Sequence, residues 1–148
     1  MLSPEASSYN ARRTMQANKR VSMTEMRLRK AVWRSGGRYR VQSRLPGRPD
    51  LAFTASRVAV FVHGCFWHRC PTCQLPAPRA NGDFWAVKFN RNIQRDAEAV
   101  RDLQRLGWRA ITIWEHEIRA DVDGAALRVV ESVRRARVRA PEESRGGA

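Results

Sequence analysis

Apolar residues recur at helical spacing in three stretches of the chain. The first follows Ser22-Met-Thr-Glu25, which has the spacing of a capping box and therefore predicts a helix start. Gly36-Gly37 is expected to end this helix, since glycine readily adopts the left-handed conformation that follows a helix. Its apolar positions are Met26, Leu28, Ala31 and Val32.

Two further helices are predicted after residue 83. Phe84–Leu106 is a long helix that Gly107 closes, and Asp123 is the expected N-cap of a last helix over Gly124–Arg137. The long helix has apolar residues near helical spacing at Phe89, Ile93, Val100 and Leu103.

Strand patterns fill the remaining regular positions. Arg38–Gln42 alternates between polar and apolar residues, whereas Val58–Val62 is a continuous apolar run that is typical of a central buried strand. Leu51–Phe53 and Trp108–Trp114 are also predicted strands. The element order α-β-β-β-α-β-α predicts an α/β fold, a mixed sheet flanked by helices.

The 148 residues fit one domain. We expect a basic N-terminal arm at 1–21, the folded domain at 22–138 and a disordered tail at 139–148.

Charge indicates a polyanionic partner. The formal net charge is +14, and residues 1–48 alone carry 12 basic and 2 acidic side chains. A basic surface of this kind attracts nucleic acid and speeds its encounter with the protein. The alternative is a solvated, arginine-rich surface without a binding role.

No membrane span or secretion signal is evident. No run approaches the roughly 18 apolar residues of a membrane helix, and the first residues lack the apolar core of a signal peptide. We therefore expect a cytoplasmic protein with no membrane partner. In that reducing setting, the three cysteines are expected to be metal ligands or free thiols.

The cysteines have metal-ligand spacing. Cys65, Cys70 and Cys73 form a C-x4-C-x2-C run, and the short Cys70–Cys73 spacing is typical of structural zinc sites. His116 can supply the fourth ligand, although His63 and His68 compete for that role.

A second constellation surrounds Asp50. A hairpin through residues 54–57 would bring Asp50, at the start of one strand, to the Val62–His63 end of the next. A carboxylate, a strand-end carbonyl and nearby imidazoles make a plausible Mg²⁺ site, and histidine can move protons at neutral pH. A Pro-Asp pair is weak support alone, because turns often contain it. Glu25 has a complete structural explanation in its capping box.

Large aromatic residues adjoin both constellations. Phe66 and Trp67 lie between Cys65 and His68, and Trp85 begins the long helix. These side chains are either buried beneath the cysteine loop or exposed for stacking on bases.

Taken together, these motifs resemble the very-short-patch repair (Vsr) family of DNA mismatch endonucleases in order and spacing. The resemblance covers about Arg13 to Arg119 and is carried by Leu45-Pro-Gly-Arg-Pro-Asp50, Val60-Phe-Val-His-Gly-Cys-Phe-Trp-His68, Asp83-Phe-Trp85, Asn90-Arg-Asn92, Arg95-Asp96, Gly107-Trp108 and Trp114-Glu115.

The resemblance implies a restriction-endonuclease-like fold of the PD-(D/E)xK superfamily with a structural zinc loop. It also implies a monomer that nicks one strand of double-stranded DNA beside a T:G mismatch left by 5-methylcytosine deamination. The second acid and the lysine of the superfamily pattern are absent, because Val62 and His63 occupy that strand end.

Site residues follow from the same resemblance. It implies that Asp50 and the Val62 carbonyl bind Mg²⁺, and that His63, His68 and Glu25 belong to the catalytic site. It implies DNA contacts for four residues: the wedge aromatics Phe66, Trp67 and Trp85, and Met15, which would insert from the N-terminal arm. Cys70 and His116 stand where some family members have His and Cys, a swap that preserves tetrahedral zinc.

Two other functions remain open from the residues themselves. A non-catalytic zinc DNA-binding module would share the charge and the cysteines but leaves Asp50, His63 and His68 without a reason to converge. A restriction-type endonuclease would cut both strands at a matched sequence.

Overall fold

Three strands and four helices make up residues 22–139, the part of the chain that the computed structural model describes. In chain order they are α1 (Met23–Arg34), β1 (Leu51–Phe53), β2 (Val58–His63), α2 (Gly82–Arg105), β3 (Arg109–Trp114), α3 (Glu115–Ala120) and α4 (Val122–Arg139). The predicted arm at 1–21, including Met15, lies outside the described residues, as does most of the predicted tail. Within the described region, no helix combines the length and apolar character needed to cross a membrane.

The strands form one mixed sheet in the order β1-β2-β3. β1 and β2 are an antiparallel hairpin in which Leu51 pairs with Val60. β3 runs parallel to β2, and Val62 pairs with Ile113. The apolar run of β2 is therefore the central strand, as its sequence predicts.

Helices cover both faces of the sheet. Val58 and Val60 point into the larger core, which α1, α3 and α4 complete. Ala59 and Phe61 point to the opposite face, where they pack against Ala99 and Leu103 of α2. His63 continues the alternation of Ala59 and Phe61, so β2 presents it on the α2 side.

The predicted helix signals are present at both ends of α1. The Ser22 hydroxyl accepts a hydrogen bond from the Glu25 backbone N–H at 3.1 Å. Gly36 has a φ of +94°, the left-handed conformation expected beyond the helix end. Gly107 likewise has a φ of +81° just after α2.

The predicted strand over Arg38–Gln42 is wrong. The segment forms only one isolated bridge, between Arg40 and Ala52. Gln42 has a φ of +55°, so the backbone leaves the extended conformation and cannot continue along the three-residue β1.

The region after β3 also differs from the prediction. A short helix, α3, begins at once, and the Glu117 carboxylate accepts a hydrogen bond from the Trp114 N–H at 2.8 Å. Asp123 does not cap the last helix. Asp121 does so instead, because its side chain accepts a hydrogen bond from the Gly124 N–H at 3.0 Å.

Two predicted apolar positions are not buried. Met26 is exposed on α1, and Ile93 is exposed on α2. The inward face of α2 passes through Phe89, Ala99 and Leu103 and also carries two polar side chains, Asn92 and Asp96, which are half-buried.

Candidate active site and metal centre

The turn before β1 sets the position of Asp50. Gly47 has a φ of +74°, and a Cβ there would lie 2.5 Å from the Cβ of Ala99, so only glycine fits against α2. The β1–β2 hairpin then places Asp50 beside Val62, whose N–H donates to Asp50 Oδ2 at 2.6 Å. The Asp50 N–H donates to the Val60 carbonyl at 2.9 Å. The hairpin geometry expected from the sequence is therefore present.

Helix α1 brings Glu25 to the same place. Its carboxyl is buried and lies against that of Asp50, while Arg29 Nη2 forms an ion pair with Glu25 Oε2 at 2.7 Å. Burial, followed by the hydrogen bond and negative charge of Asp50, raises the pKa of Glu25 from 4.5 to about 8. Arg29 acts in the opposite direction and does not cancel the effect.

Two adjoining carboxyl groups suit a divalent cation. Burial, and then the hydrogen bond and charge of Asp50, favour the protonated form of Glu25, and a hard cation with oxygen ligands would favour its ionisation. Asp50, Glu25 and the Val62 carbonyl are the groups that could contribute to such a site. The donor set therefore fits Mg²⁺ chemistry. Glu25 contributes only its backbone N–H to the cap at Ser22, because its carboxyl group lies against Arg29 and Asp50 instead.

Two histidines stand on the α2 side of this carboxyl pair. The rings of His63 and His68 stack with centroids 3.9 Å apart and planes 5° apart. Burial and the neighbouring His68 lower the pKa of His63 to about 4, against weaker opposing effects of Asp96 and Asp50. His63 is therefore neutral at pH 7 and can accept a proton.

Asp96 joins the histidines; it is part of the Arg95-Asp96 pair in the family resemblance but was not predicted as a site residue. Its Oδ2 lies 2.7 Å from Nδ1 of His68, and its Oδ1 lies 3.9 Å from Nε2 of His63. A carboxylate only accepts hydrogen bonds, so His68 carries its proton on Nδ1 and keeps Nε2 as an acceptor when neutral. The signal in the sequence was the polar pair Asn92 and Asp96 on the inward stripe of α2.

The predicted zinc ligands converge in space. The donor atoms of Cys65, Cys70, Cys73 and His116 all lie within 4.8 Å of one another. Nδ1 of His116 is 3.4 Å from the sulfur of Cys65 and 3.6 Å from that of Cys70. Usual zinc bond lengths in a tetrahedron place sulfur and nitrogen about 3.6 Å apart.

The thiols also behave as a ligand cluster. Burial, and then hydrogen bonding with Cys65 and Cys70, raises the pKa of the Cys73 thiol to about 11. Three close sulfurs cannot all ionise without a cation between them, and a zinc ion would supply that charge. His63 and His68, the competing candidates, instead contact Asp96. The set fits a structural zinc ion with His116 as the fourth ligand.

The aromatic residues form one continuous cluster. Phe66 makes edge contacts with Trp67, Trp85 and Phe89, at centroid distances of 5.1, 5.9 and 5.4 Å. Phe66, Trp67 and Trp85 are each half-buried, so the cluster is supported from below and reaches solvent above. Lys88 Nζ lies 4.9 Å from the centroid of the Trp67 ring.

A cleft of about 930 Å³ opens beside the histidines. It lies between the β2–β3 side of the sheet and α2, and its walls include His63, His68 and Asp96. The other charged residues that line it are Arg48, Arg69 and Arg95. The cleft thus joins a positively charged surface to the candidate catalytic groups.

Comparison with known proteins identifies a family and several related nicking enzymes. The family model described as DNA mismatch endonuclease Vsr matches residues 7–74. The chain is 40% identical over 122 residues to the type II nicking enzyme V.NaeI of Lentzea aerocolonigenes, a match that covers 78% of this chain and 73% of that protein. It is 37% identical over 126 residues to the type II nicking enzyme V.NmeDIP of Neisseria meningitidis serogroup C, covering 83% and 85% of the two chains.

A third relative carries the family name itself. The chain is 41% identical over 98 residues to the DNA mismatch endonuclease Vsr of Escherichia coli (strain K12), which covers 64% of this chain and 62% of that protein. The matched segment of the family model contains Glu25, Asp50, His63 and His68. This chain belongs to the Vsr family of DNA mismatch endonucleases.

Proposed function

We propose that this protein is a Mg²⁺-dependent endonuclease that nicks one strand of double-stranded DNA next to a T:G mismatch arising from 5-methylcytosine deamination. The observation that carries the proposal is the convergence of the Asp50–Glu25 carboxyl pair with the stacked His63 and His68 at one end of the sheet. A non-catalytic zinc DNA-binding module would not require these carboxyl and imidazole groups to lie together.

The carboxyl pair is the proposed metal site. Asp50, the Val62 carbonyl and, through its contact with Asp50, Glu25 would hold Mg²⁺, which would neutralise negative charge on the phosphodiester and favour ionisation of the attacking water. Asp50 is oriented for this by the N–H of Val62. Arg29 holds Glu25 from the other side.

The histidines are the proposed proton acceptors. In hydrolysis, the water oxygen forms a bond to phosphorus while the bond from phosphorus to the 3′-oxygen breaks. The 3′-oxygen would take a proton from solvent water, leaving a 5′-phosphate and a 3′-hydroxyl. His68 is oriented by Asp96 so that its Nε2 can take the water proton. Neutral His63, stacked on it, places no second positive charge beside the imidazolium that forms when His68 takes the proton.

The zinc loop and the aromatic cluster would provide selectivity. A mismatched step stacks weakly and therefore costs less to open than a paired one. We propose that Phe66, Trp67 and Trp85 enter such a step, with the zinc ion fixing the loop that carries two of them. Met15 of the N-terminal arm would enter from the opposite groove.

We further place the mixed sheet in the PD-(D/E)xK nuclease superfamily, with the protein acting as a cytoplasmic monomer. The β1–β2 hairpin supports this assignment, because it brings Asp50 beside the end of β2. At the end of β2, where the superfamily pattern has a lysine, His63 and His68 would supply the catalytic side chains.

A nicking assay tests the function. Two labelled duplexes that differ only in one T:G or C:G pair are incubated with protein and Mg²⁺, and each strand is followed separately. We expect one cut in one strand of the T:G duplex. Equal double-strand cleavage of the C:G duplex would favour a restriction-type enzyme, and binding without cleavage of either would favour a zinc DNA-binding module.

A further inference from the structure

We propose that Arg48 and Arg95 clamp the phosphodiester backbone of the strand to be cut, on the α2 side of His63 and His68. This inference rests on the proposed nuclease function and assigns the side of the site along which the strand runs. Both arginines line the 930 Å³ cleft that also contains the two histidines and Asp96.

The backbone at Arg48 is held in an unfavourable conformation. Its φ is +49°, directly after Gly47 at +74°, and an L-residue with a Cβ pays a steric penalty there. Asparagine or glycine would occupy the position at lower cost. Five other non-glycine residues among 22–139 share a positive φ, so it is the position of Arg48 in the cleft, rather than its φ, that assigns it to the clamp.

Arg95 faces the same cleft from helix α2. It directly precedes Asp96, whose carboxylate faces the histidines, and its side chain is exposed. Among residues 22–139, neither Arg48 nor Arg95 has a carboxylate oxygen within 4.0 Å of its guanidinium group. Both cations are therefore available to a ligand.

The third arginine of the cleft has a different role. The guanidinium of Arg69 donates to the carbonyl oxygens of Phe66 and Leu75 and lies 4.4 Å from the centroid of the Phe89 ring. These contacts tie the cysteine loop to α2. Because both terminal nitrogens of Arg69 already donate to backbone carbonyls and its guanidinium stacks on Phe89, we assign the clamp to Arg48 and Arg95 alone.

The chemistry of the cleft selects a phosphodiester as ligand. Three arginines face one aspartate, and that aspartate is hydrogen-bonded to His68. Guanidinium groups bind phosphate oxygens through paired N–H donors. The cleft volume is near the upper end of the range of about 300–1,000 Å³ for ligand sites, which suits a stretch of backbone better than one small anion.

Salt dependence of duplex binding tests the clamp without requiring cleavage. Binding of full-length protein to a T:G duplex is measured without divalent metal over a series of KCl concentrations. Each phosphate contact contributes about 0.9 to the slope of log K against log salt. We expect Arg48→Asn and Arg95→Gln each to reduce the magnitude of the slope by about 0.9, the value of one phosphate contact. The double variant should reduce it by about twice as much.

Matched variants separate charge from fold. Arg48→Asn suits the left-handed backbone, so a collapsed turn does not explain its effect. Arg48→Lys keeps the charge and should retain the slope. Arg134→Gln removes an exposed arginine from α4, on the opposite face of the sheet, and should leave the slope unchanged.

Kinetics supply the second readout. Loss of a clamp that holds substrate and transition state alike should raise KM about tenfold or more and leave kcat largely unchanged. A wild-type slope in the double variant would overturn the proposal. The slope can be measured even if the protein cleaves no DNA, so failure of the nuclease function and failure of the clamp give different results.

Discussion

The imidazole rings of His63 and His68 are stacked in parallel, 3.9 Å between centroids, and both face the carboxylate of Asp96. A single carboxylate can compensate one imidazolium but not two at this separation. Burial and the neighbouring His68 lower the pKa of His63 to about 4, so His63 is neutral near pH 7. This arrangement makes the protonation state of the site depend on Asp96, a residue of another element.

Asp96→Asn should lower kcat for nicking by up to about 100-fold, because an amide can turn its N–H towards His68 and favour the wrong tautomer. Binding of the duplex without Mg²⁺ should be unchanged. Single-turnover nicking over a range of pH is the measurement, and the profile should shift together with the rate. Glu98→Gln, an exposed carboxylate on the same helix, is the control. A wild-type rate and pH profile in Asp96→Asn would remove Asp96 from the mechanism.

Asp50→Ala should abolish nicking while the protein stays folded and binds DNA. Removal of an anion next to the phosphates should leave binding without Mg²⁺ the same or tighter. The measurement is a pair: gel-shift affinity for a T:G duplex without divalent metal, and nicking rate with Mg²⁺. Unchanged nicking would contradict the assignment of Asp50 as a Mg²⁺ ligand. Loss of DNA binding would indicate that Asp50 instead stabilises the turn before β1.

Zinc should co-purify at one ion per chain. His116→Ala should lower the zinc content, because it removes one of four ligands, while His68→Ala should retain it. Elemental analysis of freshly purified protein provides the measurement, and strong chelators should unfold the loop at residues 63–83. Wild-type zinc content in His116→Ala would assign the fourth ligand elsewhere.

Trp67→Ala should reduce discrimination between T:G and C:G duplexes by about tenfold. Stacking of an aromatic side chain on a base contributes about 1–3 kcal/mol. Competition binding of the two duplexes measures the ratio directly. Trp33→Ala, which removes a half-exposed tryptophan from α1, should leave it unchanged. If Trp67→Ala unfolds the protein instead, the aromatic cluster is a structural core.

Stability should depend on pH through Glu25 when Mg²⁺ is absent. Its pKa is raised from 4.5 to about 8 in the folded protein, so folding favours the protonated form. This contribution is fully present below about pH 4.5 and is lost as the pH rises through about 8. His63, whose pKa is lowered to about 4, acts in the opposite sense: its contribution is present above pH 6.5 and lost as the pH falls towards 4.

The variant Glu25→Gln isolates the first effect, since an amide does not titrate. Between about pH 5 and pH 8, its free energy of unfolding should fall less with pH than that of the wild type, with urea denaturation in Mg²⁺-free buffer as the measurement. Mg²⁺ should stabilise the wild type more at pH 8 than at pH 5. An identical pH dependence of the two proteins would contradict the carboxyl pairing.

Local sequence signals predicted the parts of the site that depend on local geometry. The apolar run of β2 and the turn that follows β1 require an antiparallel hairpin, and a hairpin of that length places Asp50 beside Val62. The Cys70–Cys73 spacing predicted a metal loop in the same way. Ser22 and Glu25 predicted the start of α1.

Contacts between distant elements were not accessible in this way. Asp96 reaches His68 from a helix 28 positions away in sequence, and only the rotation of α2 about its axis brings it inward. The alternation of Arg38–Gln42 is correct as a pattern, yet the left-handed Gln42 prevents pairing beyond one bridge. Tertiary packing determines both the Asp96–His68 contact and the loss of strand pairing after Arg40. The local residue pattern predicts neither.

The position of His116 in the chain affects the order of folding. Cys65, Cys70 and Cys73 are close in sequence, whereas His116 lies 51 residues from Cys65, beyond α2 and β3. Closing so long a segment is slow compared with forming the local knuckle. A metal ion captured early by the thiols would acquire its fourth ligand only when β3 has paired with β2. Completion of the proposed zinc site would then mark the assembly of the sheet end that carries His63, and an ion released on mutation of β3 would indicate a folding fault there.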